Sequence, residues 1–172
     1  MNPDLRLADW IAGILGPDSD AMRELKEVIE HEPGRITRAF SDILAGYSID
    51  PPSVIKVTRM LAPGESVGIV NVEGIDFISM CPHHFLPYFG VARVTYEPGA
   101  MIVGIGKLPR LVFALSRRLH VQEDLTRAIA TTLHEVASAR FVTVEMRARH
   151  LCMCYRGPLA TSAETTTSFT IK

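Results

Sequence analysis

At 172 residues the chain is long enough for one domain with a sizeable core and short for two. Hydrophobic residues at 47% and charged residues at 22% exclude a disordered chain, and a net charge of -1 offers no global basic face, so no nucleic-acid partner is expected. No apolar run reaches the ~18 residues of a membrane span, and Asp4, Arg6 and Asp9 interrupt the N-terminal stretch where a signal peptide would be apolar, so no membrane partner is expected and the chain should be cytoplasmic.

The first third reads as helical. Ala21, Leu25, Val28 and Ile29 recur at helical spacing up to a break at His31-Glu32-Pro33, and Pro33 then opens a second helix with the stripe Ile36, Ala39, Phe40, Ile43 and Leu44. Gly46 is its natural stop, and Pro51-Pro52 mark a turn. Residues 1–50 thus form an N-terminal helical segment and 51–172 the remainder of a single domain. From Ser66 to Ile105, β-branched and aromatic runs (67–72, 74–80, 90–96 and 101–105) alternate with Pro and Gly, which predicts a mostly antiparallel sheet. Two helices follow, at about 108–118 and 121–138. The second places Val121, Leu125, Ala128, Ile129, Thr132, Leu133 and Val136 on one stripe that should lie on a sheet face.

Phe141 to His150 is a strand, with Val142, Val144, Met146 and Ala148 on an apolar face and Thr143, Glu145, Arg147 and Arg149 on the other. Were the strand to persist, His150 and Cys152 would continue the apolar parity and point inward from its end. The Thr-rich stretch from Thr161 to Thr170 suits a sheet edge or a loop.

Cys81-Pro82-His83-His84 closes one predicted strand and His150-Leu151-Cys152-Met153-Cys154 another. Thiolate and imidazole are the ligands zinc prefers, and one tight turn can present both members of a Cys-x-x-His pair to a single ion. Such a fragment alone is a weak signal, because free cysteines are often small buried hydrophobes. Here all three cysteines fall at these two strand ends beside three histidines, in a pattern unlike a disulfide framework.

The run Ser79-Met80-Cys81-Pro82-His83-His84-Phe85-Leu86-Pro87-Tyr88-Phe89-Gly90 resembles the signature of the GTP cyclohydrolase I family, whose usual form is Cys-Glu-His-His. Gly104 to Arg110, Val121 to Thr126, His150 to Gly157 and Thr161 to Ser168 match further motifs in family order, and Glu32-Pro33-Gly34-Arg35 resembles its Thr-Pro-x-Arg. The resemblance spans about residues 20 to 170. It implies an α+β tunnelling fold, an antiparallel sheet with two helices packed on one face plus N-terminal helices. It also implies a homo-oligomer, a decamer of two pentamers, with sites at subunit interfaces.

By the same resemblance Cys81, His84 and Cys152 match zinc ligands, His150 the histidine that protonates the opening imidazole ring, and His83 a second acid/base group near the ribose. Gln122 and Glu123 match the pair that reads the guanine edge; Lys107, Arg110, Arg156 and Arg35 match the cations around the triphosphate. The implied reaction takes GTP, or a related purine nucleotide, to dihydroneopterin triphosphate and formate. Taken singly, each histidine would read as a satisfied polar group, Glu123 as a helix N-terminal charge, and each cation as a solvated one.

Three positions depart from the family pattern. Pro82 stands for its glutamate, Gly106 for a serine before Lys107, and Cys154 for an aliphatic residue. Pro82 and Gly106 motivate an alternative, a paralogue that acts on another purine or stops at a ring-opened pyrimidine. Cys154, two residues from Cys152 on a shared strand face, could be a packed bystander or a further thiolate closing a structural, non-catalytic zinc site.

Overall fold

Gly16, at φ +85, and Pro17 cut the helical N-terminal third, so α1, Pro3–Leu15, ends before them. The next helix, α2, Asp20–His31, starts on Ser19, whose hydroxyl accepts from the Met22 N–H at 3.4 Å. Beyond Pro33 and Gly34, with Gly34 at φ +81, comes α3, Arg35–Ile43. The structure is a computed structural model that describes residues 3–172; Met1 and Asn2, the start of the expected N-terminal segment, lie outside the described residues.

These helices make the first of two compact units, Met1–Asp42. Its small core joins Ala8, Met22 and Ile29, with Leu25 and Ile36 packed against them. The buried Asp4 carboxylate accepts the N–H groups of Ile36 and Thr37 at 3.3 and 3.0 Å, so α1 caps α3, and these bonds, chiefly that from the Thr37 hydroxyl, hold its carboxyl below the usual range. The buried face of α2 runs through Met22, Leu25 and Ile29; Ala21 and Val28, expected on that stripe, are exposed. A further correction concerns Gly46. Helix α3 ends at Ile43, and Gly46 lies in a following 3-10 turn, where a Cβ would come 2.5 Å from the Ala114 carbonyl oxygen, so it is glycine for close approach and not as a helix stop.

The second unit, Ile43–Lys172, holds a four-stranded antiparallel sheet in the order β2-β3-β5-β6, formed by β2, Val70–Cys81, β3, Leu86–Glu97, β5, Phe141–His150, and β6, Thr165–Ile171. The runs read separately at 67–72 and 74–80 join from Val70 onward into one strand, kinked by a bulge between Val72 and Ile75 where Gly74 takes φ +67, while 67–69 lie outside it. A second pair joins β1, Val57–Met60, to β4, Met101–Val103. The sequence reading missed β1, and its burial explains why: every residue is exposed, so no alternation marks it. Two helices, α4, Lys107–Ser116, and α5, Gln122–Ala137, bury Leu111, Leu125, Ile129 and Leu133 against Ala92, Val94, Val142, Val144 and Met146. This is the two-helix, antiparallel-sheet arrangement expected of the tunnelling fold.

The alternation in β5 holds, with Val142, Val144 and Met146 fully buried. The strand stops at His150, however, and Leu151–Cys154 forms a single helical turn, α6. Cys152 and Cys154 therefore do not share a strand face; a helical turn sends side chains two residues apart in different directions. Cys154 is buried and Cys152 partly exposed. The Thr-rich stretch becomes edge strand β6.

Gly90 shows how closely the strands fit. A Cβ there would lie 1.8 Å from the Arg147 carbonyl oxygen and 2.7 Å from the Ala148 Cα across the β3–β5 pairing, and these backbone atoms cannot move aside as a flexible side chain would. Gly90→Ala is expected to cost about 3 kcal/mol and lower the melting temperature by about 6–12 °C in thermal denaturation. An unchanged transition would show that this pairing is loose.

Candidate functional site

Register alone brings the two motif-bearing strand ends together. Cys81 at the tip of β2 pairs with Leu86 at the start of β3, and two residues further along β3 Tyr88 pairs with His150 at the end of β5. The connecting turn, Pro82 to Phe85, closes with the Phe85 N–H donating to the Cys81 carbonyl at 3.0 Å and Phe85 at φ +54. Cys81 is buried, whereas His83 and His84 are exposed in the turn; the Cys81 Sγ lies 3.5 Å from His83 Nδ1. Burial, then the nearby Cys81, pushes the Cys152 thiol up, and Arg156 pulls it back, so all three groups share one electrostatic neighbourhood. No disulfide links the three free cysteines.

Among the described residues no three His, Cys, Asp or Glu side chains are already gathered around one point. The donors that converge nevertheless suit a thiophilic ion in kind, since two thiols from separate elements flank a turn bearing two imidazoles.

His150 is clamped from two directions. The Tyr88 ring stacks on its face with centroids 4.4 Å apart and planes 2° from parallel, and the Gln122 Oε1 lies 2.7 Å from its Nε2. Burial holds the imidazole below its ordinary range, opposed by the charge of Glu123, which stands exposed in the first turn of α5. Tyr88 is fully buried, its hydroxyl donates to the His120 carbonyl at 3.2 Å, and burial pushes its pKa up to about 12. The sequence reading did not single out Tyr88, although it shares the inward parity of Ala92 and Val94 on β3.

The cations fall into separate places. Arg156 is exposed beside Cys152. Lys107 and Arg110 begin α4, whose other end leads to Arg118 and His120, bonded to Met80 next to Cys81. Within one chain they therefore lie toward the end of α4 away from the bonds that tie Arg118 and His120 to Met80. Partial burial, then Arg110 and Lys56, holds the Lys107 ammonium below the usual lysine range. Lys56 was missed, having no motif around it. Arg35 belongs to the first unit and pairs with Glu32 at 3.1 Å. Gly106 precedes α4 with open space where a Cβ would stand, so the family's serine would fit there without strain.

Comparison with known proteins decides the family. The sequence profile of GTP cyclohydrolase I matches residues 18–172. The chain belongs to the GTP cyclohydrolase I family. It is 38% identical over 160 residues to the GTP cyclohydrolase 1 of Deinococcus radiodurans, covering 93% of this chain and 70% of that one. With the GTP cyclohydrolase 1 of Chlorobaculum tepidum it shares 37% over 164 residues, or 90% and 72% of the two chains. A crystal structure of the archaeosine synthase QueF-Like in the apo form superposes with TM-score 0.51 at 15% identity, over 62% of this chain and 95% of that one, which supports the tunnelling fold. Membership in the GTP cyclohydrolase I family makes the chain a hydrolase and is consistent with a metal cofactor. No helix among the described residues is long and apolar enough to cross a membrane.

Proposed function

We propose that this chain hydrolyses GTP to 7,8-dihydroneopterin triphosphate and formate, using a zinc ion held by Cys81, His84 and Cys152. The observation that carries the reading is that the β2-β3-β5 register sets Cys81 and a clamped His150 at one end of the sheet, with Cys152 following on the next helical turn within electrostatic reach of Cys81. Zinc, when bound, supplies a Lewis acid that activates water toward C8 of the guanine. His150 protonates the imidazole nitrogen as the ring opens; its partial burial favours the neutral form at rest, so it first takes up, from the attacking water, the proton that it delivers. His83, exposed in the turn, serves as the second acid/base group. The exposed Glu123 carboxylate accepts from guanine N–H groups, with Gln122 beside it in the family's pair.

Arg156 supplies one cation to the triphosphate from within the chain. Lys107 and Arg110 stand at the far end of α4, so we assign them, and Arg35, to the site of a neighbouring copy. The sheet supports such assembly, because β2 and β6 end it with open edges that a second sheet would pair. The proposed assembly is the family's decamer of two pentamers. We place it in the cytoplasm, where three free cysteines stay reduced.

The test is direct. Purified chain loaded with zinc and given GTP should yield equimolar formate and, after oxidation, a fluorescent pterin. Pro82 and Gly106 favour a second reading, a paralogue that works on another purine or stops early. A ring-opened pyrimidine without pterin would select it and overturn the first. Against the structural-zinc alternative stands the place of Cys154, which is buried on a helical turn and shares no strand face with Cys152.

A further inference from the structure

Gln122 is 1% exposed, so its amide must find every partner inside the protein. Its nitrogen lies 3.0 Å from the backbone carbonyl oxygens of both Met146 and Thr165, and 3.2 Å from the Thr167 hydroxyl. Two carbonyl oxygens can only accept, so the amide NH2 must face them and the amide oxygen must face the other way. On that side stands His150 Nε2, at 2.7 Å. An amide oxygen also only accepts, so Nε2 carries the hydrogen, and a neutral His150 presents its lone pair at Nδ1. Tyr88, stacked on the ring face, blocks rotation out of this arrangement.

We infer that Gln122 is a positioning residue that fixes the tautomer and direction of His150 through its Oε1, and that its side chain does not itself read the guanine edge. Both amide hydrogens are taken up by β5 and β6, the oxygen accepts from His150, and a side chain 1% exposed holds its remaining lone pair away from a base. The neighbouring Glu123, exposed at the same helix start, remains for that task. The chain of contacts runs from the edge strand through one amide to one imidazole nitrogen, so the sheet's own hydrogen bonding dictates which nitrogen can exchange a proton. The catalytic consequence rests on the reading that GTP is opened at this site; the tautomer assignment does not.

Two readouts on the full-length protein test it. In Gln122→Leu the acceptor is gone, and kcat with GTP should fall about 10–100-fold while KM stays within about threefold. In nitrogen-15 histidine spectra at about pH 8.5, where imidazoles are neutral, the His150 signal, assigned by its loss in His150→Asn, should show the Nε2–H form in the wild type and lose it in Gln122→Leu. A raised KM with unchanged kcat would mean that Gln122 touches the base. An Nδ1–H wild type, or a Gln122→Leu chain with lower melting temperature but unchanged kcat and tautomer, would overturn the inference. If the wild type makes no pterin, the functional reading fails alone and the nitrogen spectrum still decides the positioning role.

Discussion

Cys152→Ser is expected to leave a folded chain that retains no zinc and turns over GTP about a thousandfold more slowly, a loss of about 4 kcal/mol in transition-state stabilisation. The physical reason is the poor match of a neutral hydroxyl to an ion that the thiolate would otherwise bind as an anion. Cys152 is partly exposed on a single helical turn, so its replacement removes little packing and should not unfold the sheet. Elemental analysis beside the pterin assay checks both parts. Cys154→Ala is the control: it removes a buried sulfur from the same turn and should preserve metal content. Zinc retained by Cys152→Ser, or lost only in Cys154→Ala, would exchange the roles of the two cysteines and sink the proposed ligand set.

His150→Ala carries the second large effect. Removing a positioned proton-transfer group should lower kcat by about 10²–10⁴-fold while zinc content stays at the wild-type level. The variant loses the stack on Tyr88 and the bond to Gln122, but His150 ends β5 and takes no part in its apolar core, so the fold should persist. Quenched-flow product analysis separates the proposed step from others: the defect should appear in formation of the ring-opened species, not in its later closure. A His150→Ala chain that opens the ring at the wild-type rate would remove His150 from the mechanism, whatever its hydrogen bonds.

Much of the fold was legible because its elements obey short periods. The strict alternation of β5 from Phe141 to His150 is a one-dimensional pattern imposed by burying one face, and it appears as read; the α5 stripe keeps Leu125, Ile129 and Leu133 at its centre but is rotated to bury Gln122, Thr126, Ala130 and Ala137, leaving Val121, Ala128, Thr132 and Val136 only partly buried. The cysteine and histidine clusters were legible for another reason: few residue types serve thiolate and imidazole chemistry, and their crowding at two strand ends is conspicuous. What failed was local. Strand β1 buries nothing and so leaves no pattern, Gly46 serves a contact with a helix some seventy residues away, and the expected continuation of β5 to Cys152 gave way to a helical turn.

Motifs in order carried the family, periods of 2 and 3.6 carried the sheet-and-helix alternation, and side-chain type alone marked the residues chemically able to bind metal or move protons. Only the tertiary structure decided how those residues combine. Strand register set Tyr88 across from His150; the bonds of Met80 to Arg118 and His120 tied the far end of α4, away from Lys107, to the β2 tip; and two backbone carbonyls on different strands turned the Gln122 amide toward an imidazole. Each of these depends on the relative placement of segments more than twenty residues apart in the chain, and no local periodicity encodes such a distance.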